Sequence, residues 1–72
     1  MQNKEVLMKL SQLDLEICRY IAEGKKNIEI GRLLFLSVHT IKSHVSNIIF
    51  QLRAANRTHV AYLLGKENII NV

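Results

Sequence analysis

A chain of 72 residues makes one small domain, near the lower limit for folding without disulfides or metals, and leaves no room for a second. With 49% hydrophobic residues but only two Phe, two Tyr and no Trp, the core must be built from Leu, Ile and Val, which excludes a deep substrate pocket. The formal net charge is +4, and its placement says more than its sum: no acidic residue lies between Glu29 and Glu67, whereas Arg32, Lys42, Arg53, Arg57 and Lys66 all do. A locally basic half attracts nucleic acid, an acidic protein or an anionic membrane, and charge alone does not choose among them.

Residues 1–9 mix polar side chains with Val6 and Leu7 too briefly for an element, so an arm or frayed turn is expected there, with the domain proper at 10–72. Met1 to Leu10 lacks the apolar stretch of a signal peptide, and apolar runs elsewhere fall far short of the roughly 20 residues of a membrane span. A cytoplasmic protein is expected. Ser11, with Asp14 three residues on, predicts a reciprocal cap for a helix patterned by Leu13, Ile17, Tyr20 and Ile21, and Gly24 supplies its left-handed stop. Cys18 lies between Ile17 and Ile21 and takes a buried apolar role; as the sole cysteine it forms no internal disulfide.

Asn27 is the expected N-cap of a second helix whose buried side is Ile30, Leu33 and Leu34. Gly31 beside them implies close approach by another helix, since glycine there costs about 1 kcal/mol relative to alanine. Ser37 caps a third helix after only about three residues, a spacing that forces a sharp crossing and predicts a helix-turn-helix. In that third helix Ile41, Val45, Ile48 and Leu52 form an apolar stripe. His39, Thr40, Lys42, Ser43, Ser46 and Asn47 leave the remainder rich in donors and acceptors and free of carboxylates. A fourth helix starts near Asn56 to Thr58, carries Val60, Ala61, Leu63 and Leu64, and ends at Gly65. With no proline and no persistent alternation, the fold class is all-α: a compact four-helix domain.

Four blocks in this order and spacing, L-S-x-L-D-x-E-I from Leu10, A-E-G-K-K-N-I-E-I-G from Ala22, L-F-L-S-V-H-T-I-K-S-H-V-S-N-I from Leu34 and N-R-T from Asn56, resemble the LuxR/GerE-type DNA-binding domain. The resemblance covers about Leu10 to Leu64. It implies a four-helix domain that acts as a dimer on double-stranded DNA, with the third helix in the major groove and the fourth pairing two subunits. Many members of that family carry an N-terminal receiver or ligand-binding domain, for which this chain has no room, so either a free-standing member or a fragment of a longer regulator is expected. This sequence departs from the family at Leu13, where Arg is usual, at Ile28, where Lys is usual, at Phe50, usually polar, and at Gln51 to Ala54, where K-L-G-V is usual. The changes at Ile28 and Gln51 remove basic residues that would meet phosphate, and Phe50 marks a candidate contact surface.

Within that motif Lys42 is the leading candidate for guanine or phosphate contact, one turn into the helix on its polar side. Ser43, Ser46 and Asn47 extend that side, and an asparagine there can read adenine bidentately. His39 and Thr40 sit at the positive helix end, which favours phosphate; Thr40 serves equally well in the Ser37 cap. His44 borders the apolar stripe and takes a packed structural role. Lys26 and Asn27 precede the second helix, at the end of a helix-turn-helix that approaches the backbone; ordinary loop solvation is the alternative for Lys25 and Lys26. Arg53 and Arg57 are both placed to add phosphate contacts from the far end of the helix; for Arg57 the alternative, a structural pairing with a first-helix acid such as Glu16, is slightly favoured. Tyr62 and Leu63, with His59 beside them, form the expected homodimer patch on the fourth helix.

No metal site is expected, because His39, His44 and His59 lack Cys or carboxylate partners at ligand spacing. Neither a cofactor nor a small-molecule ligand is expected, and no catalytic residues: carboxylates do not converge and no Gly-rich phosphate loop occurs. The leading reading is a sequence-specific transcriptional regulator. The alternative is a protein-interaction module that modulates another regulator through Phe50, Tyr62 and Leu63.

Overall fold

The computed structural model describes residues 10–66, and four α-helices without strands make up that region. The expected N-terminal arm and the tail after residue 66 lie outside the described residues. Helix α1 (Gln12–Ala22) opens on the predicted reciprocal cap: Ser11 Oγ accepts the Asp14 N–H at 3.0 Å, and Asp14 Oδ2 accepts the Ser11 N–H at 3.3 Å. It closes at Gly24 (φ +85°), where Gly24 N–H reaches the Ile21 carbonyl and Lys25 N–H the Tyr20 carbonyl, a Schellman pattern that needs a left-handed residue.

Helix α2 (Asn27–Leu34) has Lys26, not Asn27, as its extended N-cap residue; the Lys26 N–H is satisfied by Glu29 Oε1 at 2.8 Å. Asn27 is already helical, and its side-chain oxygen accepts from Arg57 instead. Ile30 is buried and Leu34 half-buried, but Leu33 is 49% exposed, contrary to its predicted place. It points about 100° round the helix from the centre of the Ile30, Gly31, Leu34 stripe. Gly31 is explained by the turn rather than by a second helix: a Cβ there would stand 2.6 Å from the Leu36 carbonyl oxygen and 3.7 Å from Ile41 Cγ1. That carbonyl folds back because Phe35 adopts the left-handed conformation (φ 59°), letting Leu36 N–H bond to the Gly31 carbonyl at 2.9 Å.

Three residues, Phe35 to Ser37, then lead into α3 (Val38–Leu52), and the two helix axes meet at 111°. This is the helix-turn-helix that the short connection predicts. Helix α3 packs against all three other helices. Its Ile41, Val45 and Ile48 join Ile17, Cys18 and Ile21 of α1, Ile30 of α2, and Val60 and Leu64 of α4 in one core. Arg53, left-handed at φ 55°, ends α3.

Helix α4 (Arg57–Lys66) lies mainly on α1. Asn56 Oδ1 accepts the His59 N–H at 2.9 Å and His59 Nδ1 accepts the Ala55 N–H at 2.9 Å, so the turn is closed from both sides. Gly65 does not end this helix: it lacks the positive φ of a terminating glycine, and α4 continues to Lys66. No single helix in the described region is long and apolar enough to cross a membrane.

Candidate nucleic-acid interface

The outer side of α3 is built by the burial of its inner one. With Ile41, Val45 and Ile48 committed to the core, helical periodicity leaves His39, Lys42, Ser43, Ser46 and Asn47 exposed. The helix carries no acidic residue. Phe50, four residues beyond Ser46, continues that side toward the far end of the helix and is 76% exposed. Arg53 is exposed just after it. At the near end Ser37 Oγ accepts the Thr40 N–H, and the Ser37 hydroxyl donates to Thr40 Oγ1, both at 3.0 Å. Of its two expected roles, Thr40 is thus seen in the cap.

Asn47 has an unforeseen partner. Its Nδ2 donates to Asp14 Oδ2 at 3.3 Å, while His44 Nδ1 lies 2.7 Å from Asp14 Oδ1. Because a carboxylate only accepts, Nδ1 must carry the hydrogen. Asp14 is 4% exposed, the one buried charged residue in the described core, and with Ser43, His44 and Asn47 it lines an open depression of about 220 Å³. Local spacing did hold a signal for this: Asp14 shares the helical phase of Ile17, Cys18 and Ile21, so its carboxylate had to be buried and therefore partnered.

Arg57 also departs from expectation. Its guanidinium donates to Asn27 Oδ1 and to the Lys25 carbonyl rather than pairing with Glu16. Partial burial lowers its pKa. A fork of donors suits two acceptors that diverge from one loop, and it ties the start of α4 to the connection between α1 and α2. Lys25 and Lys26 flank that tie, with Lys26 exposed and Lys25 half-buried 4.0 Å from Glu23. On α4, Tyr62 is 60% exposed and Leu63 half-exposed, while Val60 and Leu64 are buried; the His59 and Tyr62 rings lie 6.3 Å apart.

Cys18 is wholly buried, and burial together with the nearby Asp14 charge pushes its thiol up to about 12, so it is no nucleophile at neutral pH. A carboxylate-free helix face presented by a helix-turn-helix is equipped to bind an anionic, hydrogen-bonding surface.

Residues 8–64 match the GerE family, described as bacterial regulatory proteins, luxR family. The chain belongs to this luxR family. Among its relatives, the transcriptional regulatory protein LiaR of Bacillus subtilis is 40% identical over 62 residues, 86% of this chain and 29% of that protein. The uncharacterized transcriptional regulatory protein YhcZ of the same organism is 39% identical over 66 residues, covering 92% of this chain and 31% of its own length. The response regulator protein VraR of Staphylococcus saprophyticus is 33% identical over 69 residues, 96% of this chain and 33% of its own. The chain thus spans about a third of the length of these relatives.

Proposed function

We propose that this luxR-family domain is a transcriptional regulator that binds double-stranded DNA sequence-specifically, with α3 in the major groove. The observation that carries this is the exposed face of α3, where His39, Lys42, Ser43, Ser46 and Asn47 stand together without a carboxylate at the surface. Lys42 supplies charge for guanine or phosphate, Asn47 and the serines supply base-edge hydrogen bonds, and Lys26, His39 and Arg53 anchor the backbone. Asn27 and Thr40 serve this surface through the structure beneath it, Asn27 by holding Arg57 and Thr40 by closing the helix cap. The regulatory relatives, named as transcriptional or response regulators, support the same reading.

Two copies pair through α4, whose Tyr62 and Leu63 remain accessible while the opposite side of the helix is packed. Pairing doubles the number of bases read and sets the spacing of two half-sites. Selection of bound duplexes from a random library tests both parts: the expected result is an enriched site with a repeated half-site. Failure to enrich any sequence overturns specific binding, and a single unrepeated site overturns the dimer. Affinity must also fall steeply with salt, because phosphate contacts release counterions.

The exposure of Phe50 and Tyr62 favours a second reading, a module that binds another regulator through these aromatics. Affinity for random duplex at low salt separates the two. A pure interaction module binds it poorly despite its net charge of +4.

A further inference from the structure

We propose that Asp14 is a specificity-determining positioning residue: its carboxylate fixes which end of the Asn47 amide faces outward from α3. The inference rests on the reading that α3 faces DNA and deepens it. Asp14 is only 4% exposed and both its oxygens already accept hydrogen bonds within the protein, so it acts through Asn47.

The carboxylate is anchored from two sides before Asn47 meets it. Oδ1 takes the His44 ring N–H at 2.7 Å, and Oδ2 takes the Ser11 backbone N–H at 3.3 Å. The backbone of Asp14 is held in turn by the Ser11 hydroxyl at 3.0 Å. Oδ2 also receives Asn47 Nδ2 at 3.3 Å. A carboxylate accepts and cannot donate, so an Asn47 amide turned the other way would set oxygen against oxygen. An exposed asparagine on a helix ordinarily flips at little cost; this one has a preferred orientation for a chemical reason.

One of the two Nδ2 hydrogens is committed to Asp14. The other, together with Oδ1, remains for the outer surface as one donor and one acceptor in a set order. Adenine displays the matching pair in the major groove, an N7 acceptor and an N6 donor. A flipped amide would present the pair reversed. Asp14 therefore decides which base Asn47 accepts while lying outside the interface.

The test is duplex selection with the full chain and three variants. Asn47→Ala is expected to lose an A·T preference at one base pair of each half-site, a discrimination of about 5- to 150-fold when a bidentate pair is intact. Asp14→Asn, whose amide both donates and accepts, permits either Asn47 orientation. It is expected to lose preference at that same base pair, with the preferences at other positions retained. Asp14→Glu keeps an acceptor-only group and is expected to restore the preference at least in part. A uniform loss across the site in folded Asp14→Asn, or full retention of every preference in either Asp14→Asn or Asn47→Ala, overturns the proposal.

Should Asp14→Asn fail to fold by circular dichroism, NMR of the wild-type chain decides. One of the two Asn47 Nδ2 protons is expected to be shifted by Asp14 in the free protein, and only the other to move when the selected duplex binds. Coincident movement of both overturns the proposal. If the wild-type chain selects no duplex, the DNA reading fails and this proposal with it; an Asn47 Nδ2 proton shifted by Asp14 in the free protein then shows that the fault lies in the ligand, not in the clasp.

Discussion

His44 and Asp14 meet at 2.7 Å across thirty residues of sequence and join the middle of α3 to the first turn of α1. The contact is polar, yet one partner sits in the core. Removing the carboxylate strands the His44 N–H and the Ser11 N–H together. Asp14→Ala is therefore expected to lower stability by about 1 to 3 kcal/mol in urea unfolding. A double-mutant cycle with His44→Ala should show a coupling of at least about 0.5 kcal/mol; strict additivity would mean that the pair contributes nothing of its own.

Backbone geometry around the turn sets opposite outcomes for similar changes. Gly31→Ala places a Cβ 2.6 Å from the Leu36 carbonyl oxygen, which is backbone and yields little. Despite better helix propensity it should destabilise the domain by about 1 to 3 kcal/mol. Gly65→Ala meets nothing within 4 Å and should stabilise by up to about 1 kcal/mol. Equal shifts in melting temperature for the two would refute this account of Gly31.

Phe35 carries a bulky side chain at φ 59° and leaves it 93% exposed. A left-handed backbone costs an ordinary residue about 1 kcal/mol or more, and solvent exposure returns little for the ring. Phe35→Gly is expected to raise the melting temperature, read by thermal circular dichroism. A fall would show that the ring makes stabilising contacts.

Burial raises the Cys18 thiol from 9.0 to about 12. A folded-state value above the unfolded one means that the native chain holds this proton more tightly, so its contribution is complete below pH 9 and is lost as pH rises toward 12. Stability of the wild-type chain should fall more steeply over that window than stability of Cys18→Ala. The same burial predicts that a thiol reagent labels Cys18 only after unfolding; rapid labelling of the folded chain would contradict its placement.

Adjacent residues of α3 should separate binding from stability. Lys42→Ala is expected to weaken specific DNA binding at least fivefold with an unchanged melting temperature, since the side chain is exposed. Ile41→Ala, wholly buried, should cost about 2 to 5 kcal/mol. A folded Lys42→Ala chain with unaltered affinity would remove Lys42 from the interface.

Much of the fold follows from local chemistry. Ser11 with Asp14, Gly24 and Ser37 are caps and stops whose partners lie within a few residues, so spacing alone locates the ends of α1 and the start of α3. The stripe Ile41, Val45 and Ile48 likewise follows from one periodicity. Where the sequence misleads, a distant group competes. Asn27 looks like a cap until Arg57 takes its oxygen, and Gly31 looks like a helix contact until the left-handed Phe35 brings the Leu36 carbonyl onto it.

By itself, then, the sequence determined four helices, the short turn between α2 and α3, and a carboxylate-free outer side on α3, because each depends on period and on neighbours a few residues away. Tertiary structure alone decided what lies behind that side. Asp14 shows its burial through its phase with Ile17, Cys18 and Ile21, but the groups that satisfy it arrive from residues 44 and 47 of another helix. Local spacing carries no record of which distant donor reaches a buried acceptor; only the packing of α3 on α1 brings them within hydrogen-bonding range.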